Sequence, residues 1–289
     1  MAKAEKTPSI LTEVSKVYYQ LTSAEKKVAD YVSAETSKVP YQSISELASA
    51  CGVADATVSR FCRRLGCNGF SAFKLAVAST AMNIRSADGP LSGEVTQTDS
   101  IPVMCRKIST SIAEAVAQTQ ELVDPKTIRK VADILLKANK VLCMGQGGSM
   151  IMAEEAAHMF TTTFGNFFAI RDNHIQAINA AQLNRDDVVL YFSYSGATRD
   201  LLDILPIVQK RKATSILITR FPNSPGAALA DVILQCGSNE NPLQLGSAEA
   251  RVAQIYLLDV LLSEMCRRDV KACEKRREDI AAALSAKHI

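Results

Sequence analysis

The sequence predicts two architectures in one chain: an all-α front part, then an α/β part with a parallel sheet flanked by helices. Three observations predict it. Between residues 10 and 80 apolar side chains recur three and four apart, as in Val14, Val17 and Leu21, without β-branched alternation. Residues 83–100, NIRSADGPLSGEVTQTDS, break that rhythm with Gly89-Pro90 and Gly93 among polar residues, the mark of a linker. From residue 140 short apolar runs alternate with helical patterns, as expected of a parallel sheet covered on both faces.

In the front part, LTSAEKKVADYV offers Thr22 or Ser23 as an N-cap, with Glu25 in the first turn. Val28, Tyr31 and Val32 continue the inner face. The stretch 43–70, SISELASACGVADATVSRFCRRLGCNGF, holds two short helices. Ile44, Leu47 and Ala48 form one face of the first, and Gly52 permits the tight turn after it. Val58, Phe61 and Leu65 form the inner face of the second. Its opposite side carries Ala56, Ser59, Arg60 and Arg63, with Thr57 and Arg64 at the flanks. A second helix buried on one side and basic on the other is a helix-turn-helix layout. Residues 43–85 carry Arg60, Arg63, Arg64, Lys74 and Arg85 against Glu46 and Asp55, five minus two, an excess equal to the +3 of the whole chain. A charge that small overall makes any nucleic-acid site local. By composition alone the same residues read equally as a solvated basic face.

Residues 101–121 resume a helical pattern. Asp124 caps a further helix with Pro125 at its first position, and Ile128, Val131, Ala132, Leu135 and Leu136 make its apolar face. KVLCMG, NFFAI, DVVLYFS, ATSILIT and ADVILQC then read as strands, SMIMAEEAAHMF and RDLLDILPIVQKR as helices, and residues 247–268 as a long closing helix.

Two strand ends in this sheet are chemically unusual. MGQGGSM, residues 144–150, places glycines and Ser149 where a helix begins. SYSGAT, residues 193–198, places Ser193, Ser195 and Thr198 where the next helix begins. Ligands of parallel α/β sheets bind outside the carboxyl ends of the strands, and a helix N-terminus favours an anion. Neutral donors there suit a phosphate ester; ordinary helix caps and turns are the competing reading. G-x-G-G-S also suggests a dinucleotide fingerprint, but Met150 stands where that pattern ends in glycine.

GQGGS and SYSGAT resemble the two signature loops of the sugar isomerase, or SIS, domain over about residues 125–270. The resemblance implies that Ser149, Ser193, Tyr194, Ser195 and Thr198 line a phosphate pocket, with Gly147 and Gly196 allowing close approach. Tyr194 and Ala197 depart from the glutamine and glutamate usual there. Glu249, near the start of the last long helix, is a candidate for the sugar end or a capping acid. His158, among Ala and Met, reads as packed, and His174 is open. VADATVSRFCRRLGCNGFSAFK resembles the N-terminal domain of RpiR-type bacterial transcription regulators, which join such a domain to a SIS domain. Ala54 stands where serine often caps, so Asp55 is expected to cap one residue later.

Together these readings give an all-α helix-turn-helix N-terminal domain, residues 1–82, a linker and connecting helix, 83–123, and an α/β C-terminal SIS domain, 124–289. Thr57, Ser59 and Arg60 would face base edges of operator DNA, and Arg63, Arg64 and Lys74 would contact phosphates. A sugar phosphate is the expected effector, and the resemblance implies a homodimer or homotetramer. A phosphosugar isomerase with a helical appendage is the alternative function. No metal or cofactor is expected: the eight cysteines form no C-x-x-C pair and the three histidines are scattered. No membrane span and no signal-peptide apolar core are read, so the expected location is the cytoplasm.

Overall fold

The structure, a computed structural model, describes residues 10–85, 95–238, 248–285 and 287. The described chain forms two compact units, one up to Ser111 and the other from Ile112 to Ser238 and from Ala248 onward. Residues 86–94 of the expected linker lie outside the described residues.

The first unit contains α1 (Ile10–Val17), α2 (Ser23–Ala34), α3 (Ile44–Cys51), α4 (Asp55–Arg64) and α5 (Phe70–Arg85). Thr22 is the cap of α2. Its hydroxyl accepts the Glu25 N–H while Glu25 Oε2 accepts the Thr22 N–H at 3.0 Å, so two orphan donors are satisfied reciprocally. Ser43 and Glu46 repeat that device at α3, and Gly52 ends α3 at φ 63°. The core joins Val28, Val32, Leu47, Val58, Phe61, Cys62, Phe73 and Val77. Leu65 is half-buried and packs against this core, and Cys62 joins the inner face beside it.

The helix α6 (Ile101–Leu122) starts in the first unit and ends in the second. Near its end the Thr119 hydroxyl accepts the Gly237 N–H at 3.0 Å, which ties the last turn to the segment after the sheet. The second unit continues with α7 (Pro125–Lys137), β1 (Val141–Gly145), α8 (Gly148–Thr161), β2 (Phe167–Ala169), α9 (Asn173–Ala181), β3 (Val188–Phe192), α10 (Arg199–Lys210), β4 (Thr214–Thr219), β5 (Val232–Gln235), α11 (Ala248–Cys266) and α12 (Val270–Ser285). Asp124 caps α7 as read from sequence, accepting from Lys126 and Thr127.

The five strands are all parallel, in the order β2-β1-β3-β4-β5. Alternate residues feed two cores. Val141, Cys143, Val188, Leu190 and Phe192 pack with α7, α8 and α11. Leu142, Met144, Val189, Tyr191 and Leu217 pack with Ala180 of α9 and Leu201, Ile204 and Leu205 of α10. Leu136 is not part of the α7 face; it is 39% exposed. His158 is also exposed, which corrects its reading as a packed histidine: its face of α8 turns away from the Ala153–Ala156–Phe160 row.

Candidate functional site

The strand order fixes where a ligand can sit. From β1 the chain passes to β2 on one side, then returns to β3 on the other, so β1 and β3 flank the switch point where α/β sheets of this order bind ligands. Gly145 stands in register with Phe192, so the loops that follow leave the sheet side by side. These are the two loops singled out in the sequence.

Both loops are built around close backbone approach. A Cβ on Gly145 would lie 2.7 Å from the Ser149 carbonyl oxygen, so the first turn of α8 folds back onto the strand end. Gly147 caps α8, and Ser149, its second residue, is half-buried. Gly196 sits at φ 59°, and a Cβ there would meet Ser224 Oγ at 2.0 Å. The Gly226 N–H donates to the Gly196 carbonyl at 2.8 Å, clamping the second loop from behind.

The hydroxyls do not behave as caps. Thr198 is the N-cap of α10, yet its side chain takes no N–H from the helix. Its Oγ1 and the Ser193 Oγ are buried with no partner among the described residues. A capping hydroxyl accepts from the second or third helical N–H. A buried hydroxyl left unpaired costs about 1–3 kcal/mol, and two of them stand between the end of β3 and the start of α10. Ser195 is partly engaged, its Oγ accepting the Ala197 N–H at 3.3 Å.

Tyr194 is turned elsewhere. Its hydroxyl donates to the Ser238 carbonyl at 2.9 Å and its ring meets Phe221 edge-on at 5.7 Å, so it braces the loop against the end of β5. Glu249 lies in the first turn of α11, outside both loops.

Three contributors escape sequence reading. Gln176 of α9, fully buried, donates to the Gly145 carbonyl at 3.1 Å and the Ile170 carbonyl at 2.7 Å, and its Oε1 accepts from Gln146 at 3.2 Å. It thereby fixes the first loop. Arg220 follows β4 directly; its N–H donates to the Tyr194 carbonyl at 3.1 Å and its Nε to the Ser238 carbonyl at 3.1 Å. It brings to the neighbouring strand end the cation that the two loops lack. Thr219 Oγ1 donates to the same Tyr194 carbonyl. Only the arginine had a local signal, a cation placed at the end of an apolar run.

In the first unit, Arg60 and Arg63 of α4 are exposed and Ser59 is half-exposed. Thr57 is 7% exposed, which corrects its expected place at the base edges. It precedes Phe61 by four residues, so the two share one row of the helix and both turn inward. Arg64 and Lys74 are engaged within the unit. Arg64 reaches the Gln20 carbonyl and the Glu25 carboxylate, and Lys74 Nζ donates to the Gln42 carbonyl at 3.0 Å. Asp55 does not cap α4; its carboxylate accepts from Ser45 at 2.7 Å and ties α3 to α4.

Among the described residues no cluster of three or more His, Cys, Asp or Glu is placed to hold a metal, and no helix is long and apolar enough to cross a membrane.

A helix-turn-helix with a basic outer face, carried on the same chain as an α/β unit, defines a DNA-binding regulator with an attached sensor-type fold. Residues 9–83 match the helix-turn-helix domain of the rpiR family and residues 134–264 match the SIS domain. An HTH-type transcriptional regulator of Haemophilus influenzae is 30% identical over 283 residues, covering 98% of this chain and 96% of that protein. Another, from Caldanaerobacter subterraneus, is 29% identical over 281 residues, covering 97% and 98%. The NanR protein of Vibrio vulnificus, solved in complex with ManNAc-6P, superposes with a TM-score of 0.85 at 22% identity, covering 96% of this chain and 99% of that one. The chain belongs to the family of HTH-type transcriptional regulators that join an rpiR-family helix-turn-helix domain to a SIS domain.

Proposed function

We propose that a sugar phosphate binds at the β1/β3 switch point and sets the affinity of the chain for operator DNA. The pair of unpartnered buried hydroxyls, Ser193 Oγ and Thr198 Oγ1, at the uncapped start of α10 carries this reading. The phosphate would accept from these hydroxyls, from Ser149 and Ser195, and from the first N–H groups of α10. Gly147 and Gly196 would let it approach the backbone, Tyr194 would brace the loop, and Glu249 would address the sugar end. The NanR complex with ManNAc-6P, in a protein of the same fold, supports the ligand class.

On the DNA side, Ser59 and Arg60 would read base edges and Arg63 would contact phosphate, with Arg64 and Lys74 available to phosphate only by exchanging their internal partners. Residues 1–82 would form the DNA-reading domain, 83–123 the connector and 124–289 the ligand domain. The chain would act as a cytoplasmic homodimer or homotetramer on a roughly palindromic operator. In this reading the ligand binds without turnover.

A thermal-shift screen of sugar phosphates, followed by operator titration with and without each hit, tests the proposal. A ligand that binds only the folded state raises the melting temperature. Absence of any stabilising sugar phosphate, or turnover of one, would refute it.

A further inference from the structure

Between α1 and α2 the first unit carries a short turn that neither the capping nor the core accounts for. Tyr18–Gln20 form a single 3-10 turn. Its far end is anchored: Leu21 is buried, and its N–H donates to the Tyr18 carbonyl at 3.2 Å. The Tyr18 hydroxyl donates to Asp30 Oδ1 at 2.7 Å, and Lys26 Nζ stands over the Tyr18 ring at 5.6 Å. Tyr18 is thus spent on fixing the turn to α2. Tyr19 meets Tyr18 edge-on at 5.9 Å and is 90% exposed, the most exposed large apolar or aromatic side chain among the described residues.

This turn lies against the end of α4. Arg64 Nη1 donates to the Gln20 carbonyl at 3.3 Å while its Nε pairs with the Glu25 carboxylate. Arg60 precedes Arg64 by four residues, so the two exposed arginines share one row of the helix. That row runs from Arg60 through Arg64 onto the residue that follows Tyr19. The acids beside it are engaged: Glu25 with Thr22 and Arg64, Asp30 with Tyr18. An anion approaching here meets guanidinium groups and one free-standing phenol. Recognition helices read bases from their N-terminal residues, so the end of α4 and the turn attached to it fall where the groove gives way to the sugar–phosphate backbone. Tyrosine hydroxyls are among the donors that bond DNA phosphates. A ring whose backbone is already fixed loses little freedom on binding.

We propose that Tyr19 contacts the DNA backbone beside the groove that α4 enters, its hydroxyl donating to a phosphate oxygen. Arg64 is then a positioning residue: it holds the Tyr18–Gln20 turn at the end of α4 and is not itself the phosphate ligand. The proposal rests on the reading that α4 meets DNA. A backbone contact carries no sequence information, so Tyr19 adds affinity for every duplex and fixes where the protein sits on it.

The test titrates the full-length protein into a fluorescein-labelled duplex of random sequence and follows anisotropy across salt concentrations. Tyr19→Phe should weaken binding roughly tenfold, because a hydrogen bond to a charged group is lost. Tyr19→Ala should weaken it at least as much. Neither should change the slope of log affinity against log salt, since no cation leaves the interface, whereas Arg63→Ala should flatten it. Melting temperatures of the Tyr19 variants should match wild type. In an Arg64→Met background Tyr19→Phe should cost less than it does alone, as expected if the arginine places the ring. Wild-type affinity in both Tyr19 variants, with Arg63→Ala weakened, overturns the proposal and leaves the DNA reading of α4 standing. No binding by the wild type refutes both. A loss that comes with a smaller assembly in size-exclusion chromatography also overturns it, because Tyr19 then packs on a second copy of the chain.

Discussion

Arg64, at the end of the second helix of the helix-turn-helix, sets its Nε 3.4 Å from Oε1 of Glu25, a carboxylate only 5% exposed at the start of α2. The same carboxylate closes the capping box with Thr22. One buried acid thus fixes both the start of a core helix and the end of the helix expected to meet DNA.

Replacing Arg64 with Ala should lower the stability of the helical unit. The loss should fall well short of the ~3–5 kcal/mol typical of a fully buried pair, because Arg64 is 42% exposed and Thr22 still bonds Glu25. Chemical denaturation of wild type and variant measures it.

The pair also makes a pH prediction. Burial opposes the Glu25 charge, but the bonds from Thr22 and the Arg64 guanidinium outweigh it and hold the carboxyl below its usual 4.5. A carboxyl depressed on folding contributes stability that is fully present above its unfolded value and lost as pH falls through the folded value. Wild type should therefore lose stability below about pH 4.5, and Glu25→Gln should flatten that decline. Unchanged pH profiles in thermal melts would contradict it.

On DNA, Arg60→Ala should cost about 1–3 kcal/mol of discrimination between operator and random sequence. Arg63→Ala should weaken both equally and flatten the salt dependence. Thr57→Val, at a buried position, should leave discrimination intact. Fluorescence-anisotropy titrations across salt concentrations separate the three.

Ser193→Ala with Thr198→Val should abolish the effector response without unfolding the protein. Neither hydroxyl has a hydrogen-bond partner to lose among the described residues. Each hydrogen bond to a charged ligand contributes about 1.5–3 kcal/mol, so two should weaken the ligand by roughly a hundredfold or more. Ser195→Ala alone should act less, because that hydroxyl already accepts from Ala197. Calorimetric titration with a ligand found in the thermal screen reads the ranking.

Gly196→Ala should be worse than either. A left-handed φ costs a non-glycine residue about 1–2 kcal/mol, and the added Cβ collides with Ser224. Both the melting temperature and ligand affinity should fall, and Ser224→Gly in the same chain should recover part of the loss.

The sequence by itself determined what local spacing encodes. Apolar periods placed the helices α2, α3, α4, α6, α7, α8 and α10, the five strands and the long α11. Cap chemistry placed Thr22 and Asp124, and two polar strand ends marked where to look for a ligand. The short α9, whose Ile175 and Ile178 stay exposed, and the charged α12, which buries only Cys273 beyond its half-buried residues, carry too little apolar periodicity to declare themselves. Tertiary structure alone decided that β1 and β3 are neighbours, because strand order follows from long-range packing on two faces and from no spacing along the chain. It also decided which polar groups are spent. Tyr194, Arg64, Lys74 and Asp55 look alike in sequence to side chains left for a ligand or DNA. Each has a distant internal partner, while the Ser193 and Thr198 hydroxyls have none among the described residues, and that difference exists only once the chain has closed around them.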